Sequence, residues 1–116
     1  MIPIGNGDMA EIIQYDICLV NLDPTIGHEI KKVRPCLVIS PDDMNDHIRT
    51  VIIAPMTAKS HKYPTRVSVT LENKKGWIVL DQIRTIDRGR IIRRLGHVNA
   101  NTVTAVRNVI REMLVD

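Results

Sequence analysis

The chain has 116 residues, enough for one domain with a modest core that needs no disulfide or metal, and nothing in it suggests a second domain. Its 17 Ile and 12 Val against no Phe, one Trp and two Tyr set an aliphatic, β-branched core that favours sheet and leaves little for an aromatic stacking platform. The formal charge of +3 is mild, so it carries meaning only where the cations cluster.

Residues 1–14 mix Pro, Gly and polar groups around Ile12 and Ile13 and read as a loosely held N-terminal arm, with the folded domain spanning 15–116. No apolar stretch there approaches the length of a signal or membrane segment, which predicts a soluble, cytoplasmic protein with no membrane partner. Ile17 to Leu22 and Pro35 to Ile39 are short apolar runs bounded by breakers, hence buried strands, and Cys18 and Cys36 within them read as reduced core residues.

Between these strands lies a polar loop from Leu22 to Arg34. Pro24 and Gly27 fix its backbone, and His28, Glu29, Lys31, Lys32 and Arg34 fall within seven residues. Ser40-Pro41-Asp42-Asp43 presents an N-cap, a proline at the first helical position and two first-turn acids, predicting a short helix to about His47. Val51 to Pro55 is a third strand, followed from Pro55 to Pro64 by a second polar loop carrying Thr57, Lys59 and His61. Arg66 to Leu71 alternates as a half-exposed strand, Asn73 to Gly76 turns, and Trp77 to Leu80 is buried strand ending in Asp81-Gln82. Ile83 to Ile86 continues extended, Asp87 to Arg90 turns, and Ile91 to Leu95 is a last short strand before Gly96. From Asn99 or Asn101 as N-cap, Val103, Val106, Val109, Ile110, Met113 and Leu114 repeat at helical spacing, with Arg107 and Arg111 opposite.

Five to seven short strands closed by one terminal helix, with connections too short for parallel crossovers, give a mainly β fold with a C-terminal α-helix. The expected architecture is a small, closed or nearly closed SH3-like barrel.

Cations gather in three groups: Lys31, Lys32 and Arg34; Lys59, Lys62 and Arg66; and Arg84, Arg88, Arg90, Arg93 and Arg94, countered within that last stretch only by Asp87. Such groups suit a polyanion. There is no phosphate-binding glycine loop, no Gly-x-Ser-x-Gly elbow and no metal-ligand spacing, so neither a metal nor another cofactor is expected. What remains is arginine, threonine, histidine and carboxylate, which suits a phosphodiester whose own 2′-hydroxyl is the nucleophile.

Three blocks carry a further signal: Asn21-Leu22-Asp23-Pro24-Thr25-Ile26-Gly27-His28-Glu29 through Arg34-Pro35, then Ala54-Pro55-Met56-Thr57, then Leu80-Asp81-Gln82-Ile83-Arg84-Thr85-Ile86-Asp87. In order and spacing, from about Asp16 to the C-terminus, they resemble the MazF/PemK family of toxin endoribonucleases. The resemblance implies a homodimer that cleaves single-stranded RNA or mRNA, often at a short sequence and without a metal. It also implies a cognate antitoxin related to MazE or PemI, whose acidic, disordered tail would fill the RNA groove. Arg34 and Thr57 match the family's catalytic arginine and threonine. The general base is open among His28, Glu29 and Asp81, with His28 included among the catalytic residues. Asn21, Asp23, Glu29, Lys31, Lys32, Lys59, His61, Asp81, Gln82 and Arg84 are the expected RNA contacts. In the plasmid-borne branch the aspartate pairs with an arginine two residues earlier, and here that position is Val79. The competing reading is a non-enzymatic toxin of the same fold that binds a protein such as DNA gyrase through its terminal helix.

Overall fold

A computed structural model describes residues 12–116. Seven strands form one sheet: β1 (Asp16–Asn21), β2 (Val33–Val38), β3 (Thr50–Thr57), β4 (Arg66–Leu71), β5 (Lys74–Val79), β6 (Arg84–Asp87) and β7 (Ile91–His97). Helix α1 (Asp42–His47) joins β2 to β3, and α2 (Ala100–Ile110) ends the chain, continuing as a π turn over Arg111–Val115. The strand order is β4-β5-β3-β2-β1-β7, with β6 also on β3, and every pairing is antiparallel.

The central strands are apolar on both faces, which explains their continuous hydrophobic runs. Cys18, Val20, Cys36, Val38, Val51 and Ile53 point into one cluster with Ile12, Leu22, Ile86 and Ile91. Their neighbours Ile17, Leu37, Ala54 and Met56 point the other way, against Val67, Val69, Ile78, Leu80 and the Val106 face of α2. The sheet is a half-barrel and not a closed one: β4 and β7 end the hydrogen-bonded path, and α2 packs beside β4 over the second cluster. Asn99 caps α2, its side-chain oxygen accepting from the Thr102 amide at 2.8 Å. Val103, Val106, Val109, Ile110 and Met113 face the core as their spacing predicts, whereas Leu114 in the π turn is exposed.

Several boundaries differ from the sequence reading. Strand β3 does not stop at Pro55 but runs to Thr57. On one side it pairs with β6 as far as Ile53 and with β5 from Met56, so Pro55 sits at the changeover of partners, where a missing N–H is tolerated. The turn expected over Asn73 to Gly76 is tighter: Glu72 and Asn73 alone make it, both at positive φ (50° and 65°), and β5 starts at Lys74. Ser40 does not cap α1. It is buried, donating to Asn45 Oδ1 at 2.5 Å and accepting from the Ile52 amide, while Pro41 holds the cap position. Strand β7 passes through Gly96 to His97, with register shifts against β1.

Of the arm expected over residues 1–14, only 12–14 lie within the described residues. Those three are held: Ile12 is buried in the core, and Gln14 bonds the Ile39 carbonyl and the Asp42 carboxylate. Asp16, fully buried, accepts from the Ile13 amide, Arg94 and His97, each at 3.0 Å.

Candidate active site

The loop from Leu22 to Lys32 is polar yet firmly built. The Leu22 amide donates to the Lys32 carbonyl at 2.9 Å, and Asp23 Oδ1 accepts from the Lys32 amide at 3.0 Å, closing the loop at its base. The Asn21 side chain accepts from the Asp23 amide, and Glu29 from the Ile26 amide. Gly27 takes φ 59°, a left-handed conformation glycine adopts without penalty. Gln82 grips the middle: its oxygen accepts from the Ile30 amide at 2.7 Å and its nitrogen donates to the His28 carbonyl at 3.4 Å. Arg84 donates to the Leu22 carbonyl at 3.1 Å, and Arg90 to the Asn21 and Asp23 carbonyls.

At the exit of this loop the strands set the central pair. The β2–β3 register matches Val38 with Ile53, Leu37 with Ala54 and Cys36 with Pro55, and Arg34 and Thr57 each lie two residues beyond the last of these pairs. Both side chains are half-buried and line one cavity of about 310 Å³ with Leu19, Met56, Lys74, Lys75 and Arg93. Arg34 Nε donates to the Lys31 carbonyl at 3.2 Å, which orients the guanidinium and leaves its terminal nitrogens for an anion. Thr57 Oγ1 accepts from the Lys59 amide at 3.3 Å. The lining carries Arg34, Arg93, Lys74 and Lys75 against the single carboxylate of Glu72, so the groove is electropositive.

A second cavity, about 240 Å³, gathers Glu29, Asp81, Gln82 and Arg84. Arg84 goes to the loop, and Asp81 is met by Arg66. Arg66 Nε lies 3.1 Å from Asp81 Oδ1 and its NH2 lies 3.2 Å from Oδ2, with Thr65 Oγ1 donating to Oδ1 at 2.9 Å. Partial burial pushes the Asp81 carboxyl up, yet the hydrogen bonds from Arg66 and Thr65 and the Arg66 charge outweigh it and hold the group below its usual range. With both oxygens engaged and its proton affinity lowered, Asp81 is poorly suited to act as a base near neutral pH. Arg66 is the register partner of Val79, so the arginine missing beside the aspartate is supplied from across the β4–β5 ladder.

The predicted residues therefore separate. Arg34 and Thr57 share one groove, and Glu29, Asp81, Gln82 and Arg84 share another. His28, Lys31, Lys32, Lys59 and His61 are exposed on the two loops, and His28 lines neither groove. Among the described residues the His28 imidazole has no hydrogen-bond partner, and no three His, Cys, Asp or Glu side chains come together as metal ligands. Asn21, Asp23, Gln82 and Arg84 hold the loop with the groups expected to meet RNA.

The cationic run from Arg84 to Arg94 is not one surface patch. Arg88 is buried and donates to the Asn45 carbonyl, Arg84 and Arg90 hold the loop, and Arg94 pairs with Asp16, which leaves Arg93 to the groove. Sequence reasoning missed Lys74, Lys75 and Arg66 as site residues. The sequence puts the first two in a turn, and it counts Arg66 among the cations that suit a polyanion but not as the partner of Asp81.

Known proteins share this fold. Residues 13–114 match the family described as PemK-like, MazF-like toxin of type II toxin-antitoxin system. Endoribonuclease MazF of Staphylococcus saprophyticus is 33% identical over 101 residues, covering 82% of this chain and 84% of that protein. The crystal structure of MazF from Deinococcus radiodurans superposes with a TM-score of 0.80 at 27% identity, over 89% of this chain and 96% of that one. A mycobacterial endoribonuclease in complex with its cognate antitoxin shares the fold, with a TM-score of 0.76 at 19% identity over 90% and 95% of the two chains. The chain belongs to the PemK-like, MazF-like family of toxins of type II toxin-antitoxin systems.

Proposed function

We propose that the chain is an endoribonuclease that cleaves single-stranded RNA in the groove containing Arg34 and Thr57. The observation that carries this reading is that those two residues line one electropositive cavity. The name of the 33% identical relative supports the activity.

In the proposed step the RNA 2′-oxygen attacks the adjacent phosphorus, the bond from phosphorus to the 5′-oxygen breaks, and the departing 5′-oxygen takes a proton from solvent, giving a 2′,3′-cyclic phosphate and a 5′-hydroxyl. Negative charge builds on the non-bridging oxygens, where the planar Arg34 fork and the Thr57 hydroxyl donate. Arginine stays protonated near neutral pH, so Arg34 stabilises charge and does not take the proton. Of the three candidate bases, Asp81 is committed to Arg66 and Glu29 to the Ile26 amide, while the His28 ring is unengaged among the described residues. His28 is assigned the 2′ proton as the candidate whose ring is unengaged; it stands on the exposed loop outside the groove walls and would have to meet the RNA from there. This chemistry draws on no metal ion. The free cations Lys31, Lys32 and Lys59, with His61, track flanking phosphates.

The partner follows from the family and the charge. An acidic antitoxin segment would occupy the same groove, its carboxylates in place of phosphates, in a cytoplasmic toxin homodimer. The solved complex of the mycobacterial neighbour with its antitoxin supports a partner of this kind.

The test is incubation of the purified protein with varied long single-stranded RNAs in excess EDTA. Discrete fragments ending in cyclic phosphate are expected. Cleavage absent in EDTA and restored by a divalent ion would overturn the proposed chemistry.

A further inference from the structure

We propose that Tyr63 is a base-stacking residue of the RNA site, presented on a rigid arginine support. This rests on the endoribonuclease reading above and extends it to a substrate subsite.

Tyr63 is 59% exposed, while Tyr15 and Trp77 are half-buried, so it is the one freely presented aromatic ring among the described residues. The Arg66 guanidinium lies over the ring, its carbon 5.4 Å from the centroid. That guanidinium is fixed from every side: Nε and NH2 bond Asp81, and NH1 bonds Ser60 Oγ at 2.6 Å. The Arg66 amide also donates to the Tyr63 carbonyl at 3.0 Å, which closes the turn that carries the ring. One face of Tyr63 thus rests on an immobilised cation, and its exposure leaves the other to solvent. A preordered ring loses little entropy when a base stacks on it.

Its support places Tyr63 on the side of the second cavity, away from the Arg34 groove walls. The connection bearing Tyr63 leaves β3 directly after Thr57, and Asp81, at the other end of the support, lines the second cavity beside Gln82. Lys59 and Lys62 lie exposed on the same connection, where they can follow the backbone of a strand whose base rests on the ring. The ligand is a nucleobase of the bound strand, and the abasic walk identifies which one. Stacking of this kind tolerates any base, because every base offers a π face. Asp81, expected to touch RNA, becomes a positioning residue that acts through Arg66.

The experiment measures KM, kcat and binding for wild type, Tyr63→Ala and Tyr63→Phe on one RNA that wild type cleaves. Binding is read on its fully 2′-O-methylated form, with an abasic site walked along the strand. Tyr63→Ala should raise KM and Kd roughly 5- to 100-fold, the range for loss of one stacked base. Its kcat at saturation and its urea midpoint should stay near wild type. Tyr63→Phe should behave as wild type. One abasic position should weaken wild type by a similar factor and add nothing to Tyr63→Ala. Unchanged KM in Tyr63→Ala, or a loss in Tyr63→Phe equal to that in Tyr63→Ala, would overturn the stacking role. So would abasic losses equally deep at every position in both proteins. A wild-type protein that cleaves no RNA fails the underlying reading instead.

Discussion

Arg66 and Asp81 face each other fork to fork across the β4–β5 hairpin, with nitrogen–oxygen separations of 3.1 and 3.2 Å. Because the pair holds the Asp81 carboxyl below its ordinary range, folding favours the ionised form. The stability it contributes is present above the unfolded value near 3.8 and is lost as pH falls through the lower, folded value. Thermal unfolding between pH 5 and pH 2.5 should therefore be less acid-sensitive in Asp81→Asn than in wild type. Parallel curves for the two proteins would show that the pair carries no pH-linked stability.

Gln82 ties the polar loop to the barrel with both ends of its amide. Gln82→Ala should cost about 1 kcal/mol, the net worth of a hydrogen bond lost from a partly buried group. Hydrogen exchange should quicken at the Ile30 amide, while the β1 and β2 amides stay protected. Gly27→Ala should cost a comparable ~1 kcal/mol through backbone strain alone, since an added Cβ at that position meets nothing within 4 Å. An unchanged unfolding midpoint in both variants would mean that the loop is not held as described.

Much of this arrangement was legible in the sequence, and what was not has a common cause. The β1 and β2 runs, the α2 spacing and the Arg34–Thr57 pair all depend on residues close in sequence or on a distinctive motif. The Arg66–Asp81 bridge joins residues 15 apart across a ladder, and nothing near Asp81 in sequence announces it. Glu72-Asn73 makes the hairpin turn without a glycine, so the turn was placed too far along and Lys74 and Lys75 were lost from the groove. Strand β3 was cut short because Pro55 usually marks an end. Only the pairing with β6 and then β5 shows how the proline is accommodated.

Cys18 and Cys36 are register partners on β1 and β2, both free and buried. Burial pushes the Cys18 thiol up to about 12, and burial raises Cys36 as well. Neither should react with a thiol-specific reagent at pH 8 in the folded protein, and both should react in denaturant. Rapid labelling of the native protein would show that the core opens at β1–β2.

The cations lining the groove should appear as salt dependence. Lys75→Ala and Arg93→Ala should each lower the slope of log K against log salt for single-stranded RNA by about 0.7, as for one lost phosphate contact. A Lys31/Lys32 double alanine variant should also flatten that slope and weaken binding. Arg107→Ala, on the exposed face of α2, should leave it unchanged. Equal effects from Arg107→Ala and Arg93→Ala would assign RNA to a diffuse surface and not to the groove.

The most direct test of the account is a double-mutant cycle on Arg34 and Thr57 under single-turnover conditions with saturating RNA. Each alanine variant should remain folded and lose at least ~10²-fold in cleavage rate, the scale for removing one contact to transition-state charge. If the two act on the same phosphorane, the double variant should lose much less than the product of the single losses. Wild-type rates from folded Arg34→Ala or Thr57→Ala would contradict the assignment of that residue. Losses that multiply independently would contradict the claim that the pair works as one site.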